Sequence, residues 1–114
     1  MTTYKISPLN DEYYLGEINK GQVEVYSTKY KTLVAARKRA YAFAKGYEGR
    51  HYVFRSAGYT DESGRFIRTH YYPMGYVIRR KDQKYYWLTY DTKKGIESKD
   101  AWIIYSNGTL GGKL

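Results

Sequence analysis

Polar and apolar positions alternate with a period of two along most of this chain, and with a helical period over one stretch only. That stretch runs from about Lys29 to Lys45. At 100° per residue, Leu33, Ala36, Ala40, Phe43, Ala44 and Tyr47 share one face, while Lys31, Lys38 and Lys45 run down the opposite one. Ser27 and Thr28 are N-cap candidates, and Gly46 is a natural stop. The pattern predicts a helix lying on a sheet, with Ala36, Ala40 and Ala44 small enough to permit close approach.

The period-two stretches predict strands at Tyr4–Ile6, Tyr13–Ile18 and Gln22–Tyr26 before the helix. After it come His51–Ser56, Arg65–Tyr72, Gly75–Arg80, Lys84–Tyr90 and Ala101–Tyr105. Turn signals separate them at Asn19-Lys20-Gly21, Asp61-Glu62-Ser63-Gly64, Pro73-Met74-Gly75, Lys81-Asp82-Gln83 and Ser106-Asn107-Gly108. Gaps this short make hairpins, so the sheet is expected to be antiparallel. The expected architecture is α+β: one amphipathic helix on a mainly antiparallel, tyrosine-rich sheet of five or more strands. Residues 1–114 form a single domain, with a loose tail over 109–114.

Alternation also sorts the side chains between two faces. Tyr86, Leu88 and Tyr90 oppose Tyr85, Trp87 and Thr89. Phe66, Arg68, His70 and Tyr72 oppose Arg65, Ile67, Thr69 and Tyr71, and Tyr52 and Phe54 oppose His51, Val53 and Arg55. One helix covers one face. Either aromatic rings stand on an open face, or the sheet curls and buries both sides.

Composition adds two features. Tyrosine occurs 16 times, and the formal net charge is +9. The charge is uneven. Residues 1–28 carry two lysines against four carboxylates, a balance of −2, whereas residues 29–55 carry eight cations against Glu48 alone, a balance of +7. A surplus of this kind attracts phosphates and acidic partners over a Debye length. The absence of cysteine excludes thiol catalysis, cysteine-ligated zinc and iron–sulfur chemistry. No apolar run approaches the ~18 residues of a membrane span, and the first residues lack a secretory pattern. No membrane partner and a cytoplasmic location are therefore expected.

These features point to a small non-enzymatic module that binds single-stranded nucleic acid or another polyanion through a basic aromatic sheet face. Arg55, Arg65, Arg68, Arg79 and Arg80 would hold phosphates, and Tyr71, Tyr85 and Trp87 would stack bases, an exchange worth ~1–3 kcal/mol per base. Lys31, Lys38 and Lys45 would add contacts from the helix. With one helix in view, major-groove reading is disfavoured. The alternative is a protein-interaction or inhibitor module of the sort carried by phages and plasmids, aimed at an acidic partner. Either would act as a monomer or a homodimer, the latter by pairing of Trp102-Ile103-Ile104 if that strand lay at an edge.

A third class is a small nuclease. Thr3-Tyr4-Lys5-Ile6 followed by Tyr13-Tyr14-Leu15-Gly16 resembles the opening strand pair of the GIY-YIG nucleases, over about a tenth of the chain. The resemblance implies metal-dependent DNA cleavage, with Arg37 or Arg39 in the place of the family's helix arginine. The first motif lacks its glycine, and the second has Leu15 in place of Ile or Val. Neither Glu48 nor Glu62 has the setting of that family's metal ligand. Otherwise His51 and His70 are the only histidines, no metal-ligand spacing occurs, and the glycines form no phosphate-cradling motif. No catalytic residue, metal or cofactor is assigned. Two carboxylates and a histidine converging in one pocket would be the sign of an enzyme.

Overall fold

The alternating stretches form the strands of one antiparallel sheet, and the helical stretch packs across it. The computed structural model describes residues 5–7, 12–91, 96–105 and 109–113. The elements are β1 (Lys5–Ser7), β2 (Tyr13–Asn19), β3 (Gln22–Tyr30), α1 (Leu33–Gly46), β4 (His51–Thr60), β5 (Phe66–Arg79), β6 (Tyr85–Asp91), β7 (Ile96–Ile104) and β8 (Leu110–Lys113). The strand order is β3-β2-β4-β5-β6-β7-β8, with β1 beside β4. β2 and β1 share one edge of β4: β2 lies opposite residues 52–55 and β1 opposite residues 58–60. The expected fold class is the observed one. Tyr4 and the turn expected at Ser106-Asn107-Gly108 lie outside the described residues.

Three elements differ from the expectation. The helix begins at Leu33, and its cap is Thr32, whose hydroxyl accepts from the Ala35 amide at 3.1 Å. The earlier candidates Ser27 and Thr28 lie within β3, which pairs as far as Tyr13↔Tyr30. Here cross-strand pairing with β2 overrides local capping preference. Lys31 therefore precedes the helix, and only Lys38 and Lys45 ride on it. Second, Pro73-Met74-Gly75 is not a turn. Phe54 pairs with Pro73 and Val53 with Gly75, leaving Met74 as the extra residue of a bulge in one continuous β5. A bulge tolerates the missing amide of proline. Third, residues 110–113 form β8, with Leu110 opposite Ile104 and Lys113 opposite Trp102. Trp102-Ile103-Ile104 thus lies inside the sheet, between β6 and β8.

The helix-side core contains Ala36, Ala40 and Ala44 from α1 against Leu15, Val53, Val77 and Trp87 from the sheet. Burying each large apolar side chain contributes roughly 1.5–3 kcal/mol. The opposite side has its own cluster of Tyr52, Phe54 and Tyr76, at 7%, 0% and 3% exposure, with Ile18, Val25, Tyr71, Ile78 and Leu88 packed against it. Both sides of the sheet therefore carry buried rings, although the helix covers only one of them.

Candidate functional site

The rings away from the helix are covered in part by guanidinium groups. Arg50 lies over Tyr76 at 4.9 Å from the ring centre, Arg80 over Tyr86 at 4.6 Å, and Arg68 over Tyr71 at 4.6 Å and Tyr14 at 5.7 Å. A guanidinium seated over a ring gains cation–π attraction and keeps the fork of donors that suits a phosphate or carboxylate. Of the residues expected to stack bases, Tyr71 therefore sits under a cation of the same chain.

Alternation in sequence placed Arg68 and Tyr71 on opposite faces. They share one because β5 bulges there: Ala57 pairs with His70 and Gly58 with Arg68, so Thr69 is the extra residue and the parity switches. Arg68 also donates to the Tyr14 hydroxyl at 3.2 Å, and that hydroxyl donates to Glu12 at 3.3 Å. Glu12 in turn accepts from the buried Ser56 hydroxyl at 3.2 Å and pairs with Lys29 at 3.7 Å.

Several expected site residues lie elsewhere. Trp87 is 3% exposed beneath the helix, with Arg37 over its ring at 5.5 Å, so it offers no face to a base. Tyr85 packs on Tyr41 of the helix at 4.6 Å. Arg55 covers Tyr13 on the helix side. Arg65 is exposed at the β4–β5 turn, and Lys31, Lys38 and Lys45 are exposed, Lys45 lying over Tyr41. The expected residues are thus divided between the two sides of the sheet.

Arg79 and Arg80 do come together. With Lys81 they line a hollow of about 300 Å³ at the β5–β6 turn, which Tyr47 and Glu48 border from the end of the helix. The turn is held by Asp82, which accepts from the Lys84 amide at 2.9 Å and from the Tyr86 hydroxyl. These bonds, the tyrosine's first, hold the Asp82 carboxyl below its ordinary range, and the same partner pushes the Tyr86 phenol up.

Tyr47 and Glu48 also line a second, larger cleft of about 710 Å³, between the β2–β3 hairpin and the end of the helix. Glu17 stands on its wall. Its carboxylate accepts from Asn19 at 2.9 Å and from the Tyr26 hydroxyl at 3.0 Å, and these bonds, Asn19's first, lower its pKa. His51 lies opposite. Its Nε2 is 2.8 Å from the Tyr47 carbonyl, which can only accept, so that nitrogen carries the hydrogen. The Phe43 ring is flanked by Tyr26, Tyr47 and His51, each 6.4 Å away. Two of these rings are exposed, Tyr26 at 44% and Tyr47 at 67%. The sequence did not single out this cleft, because its walls come from β2, β3, α1 and β4 and no local spacing links them.

The cleft brings two carboxylates, Glu17 and Glu48, near a histidine. No group of three or more metal-ligating side chains clusters among the described residues. Among the described residues the opening strand pair of the GIY-YIG pattern is not seen either: β1 and β2 each pair with β4. Arg37 is buried on Trp87 rather than facing a cleft. No protein-family model matches the chain, and no curated protein or solved structure matches it. No helix among the described residues is long and apolar enough to cross a membrane.

Proposed function

We propose that this domain is a non-enzymatic binding module for polyanions, single-stranded nucleic acid foremost, acting in the cytoplasm. The observation that carries the reading is the placement of guanidinium groups over tyrosine rings on the side away from the helix, Arg68 over Tyr71 and Arg80 over Tyr86. Stacking fixes their orientation before any ligand arrives, which reduces the ordering cost of binding. The hollow lined by Arg79, Arg80 and Lys81 is where cations are densest on one short segment. Because the rings below are covered, contact is with the phosphate backbone and depends little on base identity.

The test is fluorescence anisotropy of a labelled single-stranded oligonucleotide against salt. Affinity should fall on a log–log plot with a slope of about −0.7 per phosphate neutralised, hence roughly −2 to −3 for three or four contacts. Arg79→Gln with Arg80→Gln should weaken binding about ten-fold at low salt while the fold is kept. No binding, or binding indifferent to salt, would overturn the reading. The same guanidinium edges fit carboxylates, so an acidic protein is the alternative partner, recognised by a complex that survives nuclease.

A second reading, phosphodiester hydrolysis, draws on Glu17, Glu48 and His51 in the larger cleft. Two features weaken it. The hydrogen bonds on Glu17 make it a poorer base, and His51 spends one nitrogen on the Tyr47 carbonyl. Cleavage of a labelled strand that is lost in His51→Ala would favour it.

A further inference from the structure

The larger cleft and the basic hollow are neighbours that share Tyr47 and Glu48. Their chemistry differs. The hollow offers Arg79, Arg80 and Lys81; the cleft offers exposed aromatic faces and the acceptor-only carboxylate of Glu17, with Arg50, His51 and Glu48 also on its walls. We propose that the pair forms a nucleotide site in which the cleft takes a guanine base and the hollow takes its phosphate. This rests on the polyanion reading and specifies its ligand.

Most rings with a cation above them are unavailable to a base. Tyr26 and Tyr47 are exposed and carry no cation from the described residues. They flank Phe43 at equal centroid distances of 6.4 Å; Arg39 lies over the Phe43 ring at 4.8 Å, so Tyr26 and Tyr47 are the walls open to a base. A planar base entering there gains stacking that the sheet face cannot supply.

Base identity follows from Glu17. Both of its oxygens already accept one hydrogen bond, from Asn19 and Tyr26, and each retains a further acceptor position. The carboxylate is therefore oriented, ionised at neutral pH and unable to donate. It makes no ion pair with a described residue although the chain carries 20 lysines and arginines against 11 carboxylates. Guanine presents two adjacent N–H donors on its Watson–Crick edge, matching the two oxygens. Adenine and cytosine present one amino group beside a ring acceptor, which a carboxylate repels. Tyr47, at the boundary of the two spaces, would stack the base whose phosphate reaches Arg79 and Arg80.

The test is amide NMR titration of the intact chain with guanosine and adenosine monophosphates, free guanosine, N-acetylarginine amide and an oligothymidylate. Guanosine monophosphate should move signals around Glu17, Tyr47 and Arg79 together and bind about ten-fold tighter than the adenosine compound. Glu17→Gln should erase that preference and leave oligothymidylate binding unchanged; Tyr47→Ala should weaken both purine nucleotides. Both residues are exposed, so folding is preserved. Free guanosine should bind more weakly than its phosphate, and the difference should vanish in Arg79→Gln/Arg80→Gln. Equal affinity for the two nucleotides, or a preference that survives Glu17→Gln, overturns the guanine site while salt-dependent oligothymidylate binding upholds the polyanion reading. Loss of oligothymidylate binding in the unmodified chain overturns that reading itself. Tighter binding of the arginine amide than of either nucleotide would make the cleft a cation site and overturn the assignment.

Discussion

Single residues explain why this sheet is pinned in one register. Gly75 pairs with Val53 on one side and Thr89 on the other, directly after the bulge at Met74. A Cβ there would collide with the Leu88 carbonyl and lie 2.7 Å from the Trp87 ring. Trp87 is clamped between this backbone and Arg37, so it cannot retreat. Gly75→Ala is expected to cost about 1–3 kcal/mol, an overpacking penalty read by chemical denaturation. Asp82 works through charge instead. Its folded pKa lies below the unfolded value of about 3.9, so its contribution is complete above that value and is lost as pH falls through the folded pKa. Asp82→Asn should therefore melt earlier than the natural chain at pH 7, and the two melting temperatures should converge as pH falls below the ordinary carboxylate range. A gap that persists in acid would mean that the carboxylate charge is not what holds this turn.

At the scale of elements, what was legible in the sequence was whatever depends on neighbours in the chain. The alternation of Tyr85 and Trp87 against Tyr86 and Leu88 survives in the structure, because β6 pairs regularly with β5 from Tyr85 to Thr89. The buried stripe of Ala36, Ala40 and Ala44 was equally readable from helical spacing. Bulges broke the rest. Thr69 reverses the parity of β5, which is why the Arg68–Tyr71 stack was unreadable, and the cleft needs four elements that only tertiary structure assembles. The start of the helix is a contest between capping and pairing, and it can be measured. Thr32→Ala removes the bond to the Ala35 amide and should cost about 1 kcal/mol. Thr28→Ala, at an exposed position of β3, should stay within about 0.5 kcal/mol. Equal costs at the two positions would return the helix start to its sequence-expected place.

For the molecule as a whole, the question is whether +9 acts as a diffuse field or through placed groups. The molecule is long, 57 Å against 27 and 26 Å, so charges at its ends lie several Debye lengths apart at physiological salt. A diffuse field would then be weak, and local geometry must supply affinity. Two double variants separate these cases because both lower the net charge from +9 to +7. Arg79→Gln/Arg80→Gln removes cations that share one hollow, one of them stacked on Tyr86. Lys31→Gln/Lys38→Gln removes exposed lysines around the start and middle of the helix, with long flexible stems that must be ordered on contact. If placement governs binding, the arginine pair loses about ten-fold in affinity for a single strand and reduces the salt slope by more than one, while the lysine pair loses less than about three-fold. Equal losses would mean that only the total charge matters, and the arginine stacks would then be devices of stability, covering rings that one helix leaves exposed to water.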